Sequence, residues 1–161
     1  MILGVDTGAR GAVVALGPVH LAALTATANG VGGYHDHPER LRDLLAQWVA
    51  AASGEVVAYI ERPGGARSAK AVAGMHRSFG EVRAVLRCTV GDLVEVTPDT
   101  WRRGLGLPLR GGQAKADALD HVRRHLPRLN LSPRRFRVPH DGIVDAACLA
   151  LYGRLAEWPD Q

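Results

Sequence analysis

The stretch MILGVDTG, residues 1–8, predicts the first strand of the fold and places an acid at the end of that strand. The apolar residues 2–5 predict a short strand, and the pair Thr7-Gly8 ends it, so Asp6 lies at its carboxyl end. An Asp in such a place can bind a cation, or it can stabilise the following turn through backbone hydrogen bonds. The choice between these interpretations depends on whether other acids are placed to join it.

The apolar run at residues 56–60 repeats this arrangement, because Glu61 follows it directly. A short continuous apolar run is typical of a buried parallel strand. If the two strands are parallel neighbours, Asp6 and Glu61 end at the same edge of the sheet. In open α/β sheets this edge is where ligands bind.

The last predicted helix opens at Asp141 and carries a second acid, Asp145, one turn further along. Asp141 alone has an ordinary explanation, because an Asp at a helix start caps free amides and suits the helix dipole. Asp145 has no such explanation, and two like charges on one helix face are costly without a cation. With Asp6 and Glu61, these acids predict a site for two Mg²⁺ ions, for which Mn²⁺ substitutes. The lack of a Cys/His cluster argues against zinc.

The remaining pattern predicts an α/β fold with a mixed five-stranded sheet, three antiparallel strands followed by two parallel strands, flanked by helices. The predicted strands cover residues 2–5, 12–16, 19–25, 56–60 and 93–96, and the predicted helices cover residues 38–52, 68–86, 99–104, 115–126 and a last helix from 140. We expect the second helix to be broken or kinked near Gly74 and Gly80. The length of 161 residues fits one domain over residues 1–161.

Positive charge is concentrated in two segments of the chain. The whole sequence has a net charge of +4, whereas residues 101–139 carry +8 and residues 62–87 carry +5. Such segments favour nucleic acid, because each Lys or Arg displaces counterions from a phosphate backbone. A solvated, arginine-rich face is the alternative interpretation. The basic candidates for DNA binding are Arg67, Lys70, Arg77, Arg102, Arg103 and Arg110.

Composition and hydropathy favour a globular protein that does not enter a membrane. Hydrophobic residues make up 47% of the chain and charged residues 22%, which is ordinary for a folded domain. The chain opens on a strand pattern without a basic leader, and no apolar run approaches the ~20 residues that span a bilayer. We therefore expect a cytoplasmic location and no membrane partner.

Five short motifs, in order along nearly the whole chain, resemble those of RuvC-type Holliday junction resolvases, closest to the phage and organelle branch. They are ILGVDTGARGA at 2–12, YIE at 59–61, VTP at 96–98 followed by Trp101-Arg102, KAD at 115–117, and HDGIVDA at 140–146. Two departures are visible. Thr7 stands where Pro is common, and Asp141 and Asp145 are four apart, as in the phage-like branch, rather than three apart as in typical bacterial members.

The resemblance implies a ribonuclease-H-like fold, a homodimer, Mg²⁺ dependence and paired nicks across a four-way DNA junction, the chemistry of DNA recombination and repair. It implies that the metal-binding acids are Asp6, Glu61, Asp141 and Asp145. Lys115 matches the position of an active-site lysine. Family members open the junction with an aromatic wedge, for which Phe79 is the candidate here. A core position on an amphipathic helix is the other interpretation of Phe79.

Three other functions stay open from the sequence. An RNA-processing nuclease of the same fold is the nearest, and a non-catalytic nucleic-acid-binding module is the second, although the intact acidic set argues against it. The third is an ATP-handling protein of the actin-like superfamily, because DTGARG at residues 6–11 resembles a phosphate-binding hairpin. Such proteins duplicate this fold, and 161 residues cannot supply both halves.

Overall fold

The computed structural model describes residues 1–8, 11–17, 24–27, 38–65, 68–132 and 138–159. The elements in chain order are β1 (Ile2–Asp6), β2 (Ala12–Leu16), β3 (Leu24–Thr27), α1 (Pro38–Ala51), β4 (Val57–Glu61), α2 (Ala69–Thr89), β5 (Asp92–Val96), α3 (Pro98–Gly104), α4 (Ala114–His125) and α5 (Asp141–Glu157). None of the helices within these ranges is long and apolar enough to cross a membrane.

The strands form one sheet in the order β3-β2-β1-β4-β5. β1 pairs with β2 and β2 with β3 in antiparallel fashion, whereas β1 pairs with β4 and β4 with β5 in parallel. The expected mixed five-stranded sheet is therefore confirmed. The third strand ends two residues later than the predicted 19–25, and its predicted start at Val19 lies outside the described residues.

Alternation along the strands gives the sheet two apolar faces. Ile2 and Tyr59 belong to the core that packs against α3, α4 and α5. Leu3 and Ile60, their neighbours in sequence, belong to the core on the other face, which packs against α1 and α2. The molecule thus has three layers, and each residue at a strand end can be assigned to one of the two faces.

Helix α5 is buried around most of its circumference, because it lies between the sheet and the other helices of its face. It approaches β1 so closely that a Cβ on Gly4 would collide with backbone atoms of Ala146 and Ala150. Further along α5, a Cβ on Gly153 would collide with the side chain of Ile2. The helix therefore runs opposite to β1, and its first turn lies at the carboxyl end of that strand.

Helix α2 is one unbroken helix of 21 residues, so the predicted break near Gly74 and Gly80 is wrong. A Cβ on either glycine would meet nothing within 4 Å, so no close contact requires a glycine at these positions. Each glycine costs about 1 kcal/mol of helix propensity relative to alanine. Burial of Val82 and Leu86 in the second half of the helix offsets that cost, since packing rather than propensity supplies most helix stability.

The middle of α2 lies level with the carboxyl end of β1. There the buried hydroxyl of Ser78 donates to the backbone carbonyl of Thr7 at 2.7 Å. At about 1.5 Å of rise per residue, the nine helical residues before Ser78 extend about 14 Å from that point. The first half of α2 is thus mostly exposed, beyond the edge where β1 ends.

Candidate active site

Asp6 and Glu61 end two neighbouring strands and lie on the same face of the sheet. The parallel register pairs Gly4 with Tyr59, and both of these residues contact α5. Because side chains two residues apart in a strand point the same way, Asp6 and Glu61 also point to the α5 side. The expectation that β1 and β4 are parallel neighbours is confirmed.

Helix α5 brings two further acids to this edge. Its first residue is Asp141, and Asp145 lies one turn along, close to the point where Ala146 packs on Gly4. The acids are near enough to act on one another, since the charges of Asp141 and Asp145 both raise the pKa of Asp6. We refer to Asp6, Glu61, Asp141 and Asp145 together as the acidic cluster.

Asp6 binds the turn and belongs to the cluster at the same time. Its Oδ1 accepts a hydrogen bond from the backbone N–H of Gly8 at 2.9 Å, so the turn interpretation is correct for one oxygen. Burial nevertheless raises the pKa of Asp6 to about 6, and the nearby charges of Asp145 and Asp141 add to that rise against the opposing Gly8 bond. An Asp that only stabilised the turn would gain nothing from lying near Asp141 and Asp145, whose charges disfavour its ionised form.

Glu61, like Asp6, has a raised pKa. Burial raises the pKa of its carboxyl to about 7, and the charges of Asp6 and Asp145 act in the same direction. The indole Nε1–H of Trp101 donates to Oε2 of Glu61 at 2.7 Å and opposes the rise, as does the guanidinium of Arg102. Burial likewise raises the pKa of Asp145, again against Arg102.

Two cationic side chains of the described chain contact the cluster. Lys115 donates to Oδ2 of Asp141 at 2.7 Å, in a pair whose side chains are 78% and 59% exposed. Arg102 is only 13% exposed and lies 3.8 Å from Oδ1 of Asp145, with its guanidinium 4.5 Å above the ring of Trp101. Like charges remain near one another despite these contacts, and they add to the rise in pKa that burial causes for Asp6, Glu61 and Asp145.

The donors of the cluster fit a hard divalent cation in chemical type, because all four are carboxylates. Within the described ranges, no three side chains of Asp, Glu, His or Cys form a metal-ligating group. The sequence-based expectation that all four carboxylates converge within coordination distance of shared cations is therefore not met. Internal donors hold three of the acids, namely Gly8 on Asp6, Trp101 on Glu61 and Lys115 on Asp141.

Two solved structures have a fold similar to that of this chain. RuvC of Thermus thermophilus matches with a TM-score of 0.61 and 18% identity, over 98% of this chain and 96% of that chain. The T. thermophilus RuvC in complex with Holliday junction substrate matches with a TM-score of 0.59 and 15% identity, over 97% and 94% of the two chains. This chain has the RuvC fold. No protein-family model and no curated protein matches the sequence.

Within this RuvC fold, the predicted DNA-binding residues of α2 lie on the half that extends beyond the sheet edge or next to it. Lys70 and Arg77 are exposed, and Arg77 pairs with Glu81 at 2.9 Å. Phe79 is partly buried against the core on the α1/α2 face, as expected of an amphipathic helix. Arg67 lies outside the described residues. A role in DNA binding stays a prediction for all four.

The predicted basic residues after β5 separate into two groups. Arg103 is 70% exposed, and Arg110 is also exposed, as a surface for phosphates requires. Arg102 instead faces Asp145 from a nearly buried position, so it contacts the acidic cluster. Adjacent residues on a helix point to different sides, so Arg102 and Arg103 are expected to differ, but the sequence does not tell which of them faces the acids.

Sequence reasoning missed the bond from Trp101 to Glu61. Trp101 is fully buried, so its indole packs inside the protein. A signal was present in Thr97-Pro98, which starts α3 with a side-chain cap directly after β5. Since Val96 pairs with Glu61 across the sheet, the first turn of that helix has to begin beside the acid.

Proposed function

We propose that this chain is a Mg²⁺-dependent endodeoxyribonuclease that resolves four-way DNA junctions by paired phosphodiester hydrolysis. The observation that carries the proposal is the acidic cluster at the carboxyl edge of a RuvC fold, with the pKa raised for Asp6, Glu61 and Asp145. Strongly shifted carboxyl groups that crowd together are typical of functional sites, because stability alone does not favour them.

The acidic cluster and the two basic side chains beside it would have different chemical roles. Asp6, Glu61, Asp141 and Asp145 would hold the divalent cations, which supply positive charge to activate a water and to stabilise the leaving oxygen. Lys115 presents an exposed ammonium beside Asp141, where it can stabilise charge that develops on a phosphate. Arg102 offsets part of the charge of Asp145 from the protein side.

Branched DNA is the proposed substrate because of the surface around the cluster and the comparison with T. thermophilus RuvC. Exposed basic side chains lie on α2 and on the segment after β5, and they include Lys70, Arg77, Arg103 and Arg110. That RuvC was solved in complex with a Holliday junction substrate. A two-fold homodimer would present two clusters to the two symmetry-related strands of such a junction.

The function is tested by cleavage of a synthetic four-way junction, a linear duplex, a flap and an RNA–DNA hybrid, each with Mg²⁺ and with EDTA. We expect cleavage of the junction that requires the cation. Equal cleavage of all four substrates would contradict a resolvase. Preference for the hybrid would instead favour an RNA-processing nuclease of this fold, and binding without cleavage would favour a non-catalytic module.

The substitution Asp6→Asn is expected to abolish cleavage while junction binding survives. Asparagine keeps the oxygen that accepts from Gly8 but removes the charge needed to bind a cation. The matched control is Asp43→Asn, because Asp43 pairs with Arg42 on the exposed side of α1. Binding of both variants, measured by fluorescence anisotropy, should weaken steeply with salt. Loss of folding in Asp6→Asn would instead assign Asp6 a structural role.

A further inference from the structure

Trp101 connects α3 to the end of β4 through one hydrogen bond. It is fully buried, and its indole N–H donates to Oε2 of Glu61 at 2.7 Å, 40 residues away in sequence. An indole N–H is a donor only, and a buried donor needs an acceptor. At this place the acceptor is a carboxylate of the acidic cluster, not a backbone carbonyl.

The indole is itself held from several sides. The cap of α3 by Thr97 fixes where the helix starts, and the guanidinium of Arg102 lies 4.5 Å above the indole ring. At its last residue, α3 packs against α5, where a Cβ on Gly104 would collide with the ring of Tyr152. A donor held in this way cannot follow a carboxylate that changes rotamer, so the bond restrains the carboxylate.

We propose that Trp101 is a positioning residue that holds Glu61 in the orientation needed to bind a divalent cation. Its N–H takes one lone pair of Oε2, so Glu61 would keep the other lone pairs of its carboxylate, including those of Oε1, for a cation. Hydrogen bonds from residues that do not themselves bind the metal commonly orient metal ligands in this way. Loss of such a bond typically weakens metal binding by about 10- to 100-fold, and we expect an effect of this order here. The inference rests on the proposed function, since both concern the same acid.

The test uses Trp101→Phe, which removes the donor and keeps an aromatic ring in the core. The matched control is Trp48→Phe, because Trp48 is also buried but lies in the core on the opposite face of the sheet. Calorimetric titration of the full chain with Mn²⁺, in the absence of DNA, measures cation affinity directly. The Mg²⁺ concentration that gives half-maximal junction cleavage is the second readout.

We expect Trp101→Phe to weaken Mn²⁺ binding about 10-fold and to raise the half-maximal Mg²⁺ concentration by a similar factor. Cleavage at saturating Mg²⁺ should largely recover, and junction binding without cation should be unchanged. Trp48→Phe should lower the melting temperature but leave cation affinity unaltered. An unchanged Mn²⁺ affinity in Trp101→Phe, or an equal loss in both variants, would overturn the role of Trp101.

The failure of this inference can be told apart from failure of the proposed function. Wild-type protein that binds Mn²⁺ but cuts no junction would overturn the function, while the Mn²⁺ titration of Trp101→Phe would still decide the inference. Wild-type protein that binds no Mn²⁺ would overturn both. An NMR measurement tests the bond itself, because Glu61→Gln should shift the indole N–H resonance of Trp101 and leave that of Trp48 in place.

Discussion

Glu61 and Glu95 lie on neighbouring strands at the same edge of the sheet, but on opposite faces. On the α5 face, burial raises the pKa of Glu61 to about 7, and the nearby acids act in the same direction. On the α2 face, the hydrogen bond from Arg83 holds the pKa of Glu95 below its usual value, and a second bond from Arg62 adds to this effect. One sheet edge thus carries two acids whose pKa values are shifted in opposite directions.

The difference separates a structural acid from a functional candidate. Both oxygens of Glu95 accept from arginines, one from Arg83 at 2.5 Å and one from Arg62 at 3.1 Å, and these bonds tie β5 to α2 and to the end of β4. Glu61 has a neutral indole donor and acidic neighbours. An acid that internal cations satisfy stabilises the fold, whereas crowded acids favour an external cation.

The largest expected effect is on the rate of junction cleavage, when the charge of Glu61 is removed and compared with removal of the charge of Glu95. Glu61→Gln should lower the single-turnover rate of junction cleavage at least about 10³-fold, because the residues of such a site act as a unit. Glutamine can still accept from Trp101, so the fold around it should persist. Glu95→Gln is the matched change on the other face and should leave the rate within the same order of magnitude. Comparable losses of cleavage rate in the two variants would show that the acids on the two faces of the sheet do not differ in function.

The next effect is on thermal stability as a function of pH. The pKa rises from an ordinary 3.8 to about 6 for Asp6 and from 4.5 to about 7 for Glu61, so the folded state holds these protons more tightly than the unfolded state does. Without divalent cations, their contribution to stability should therefore fall as pH rises from about 4 to about 7 and then level off. Mg²⁺ should raise the melting temperature at pH 8 by several degrees, and by much less at pH 5.

Calorimetric scans at pH 5 and pH 8, each with Mg²⁺ and with EDTA, measure this dependence. The double variant Asp6→Asn, Glu61→Gln is the control, because it has neither of the two carboxyl groups whose protons are released. It should lose less stability between the two pH values and show a smaller Mg²⁺ effect. An equal Mg²⁺ effect at both pH values in the wild type would argue that these acids do not bind the cation.

The sequence predicted the edge of the sheet better than the contacts made there. Strand ends are visible as apolar runs followed by an acid, and the helix predicted between the two strands favours parallel neighbours for Asp6 and Glu61. Asp141 and Asp145 followed from helical spacing alone. Which internal donor holds each acid depends on packing between elements far apart in sequence. The bond from Trp101 and the contact of Arg102 with Asp145 were therefore missed.

Local propensity failed where tertiary packing decides. The glycines of α2 predicted a break, but the helix continues through Gly74 and Gly80 because its later residues are buried against the sheet. The close approach of α5 to β1 could not be read from Gly4 either, since an isolated glycine in a strand is compatible with a bulge as well. The reason for a glycine at position 4 is visible only in the structure, where the backbone of Ala146 leaves no space for a Cβ.

The smallest expected effect is on the stability of the protein without cation. Glu95→Gln should lower the free energy of unfolding by about 0.5–1 kcal/mol, because Arg62 and Arg83 are about half exposed and solvent weakens such pairs. Glu61→Gln at pH 8 should leave stability unchanged or raise it, since it removes a charge from a crowded cluster. Urea unfolding in EDTA measures both changes. High salt should shrink the loss in Glu95→Gln, because screening already weakens the pairs in the wild type. A larger loss in Glu61→Gln than in Glu95→Gln would mean that the crowded acid stabilises the fold.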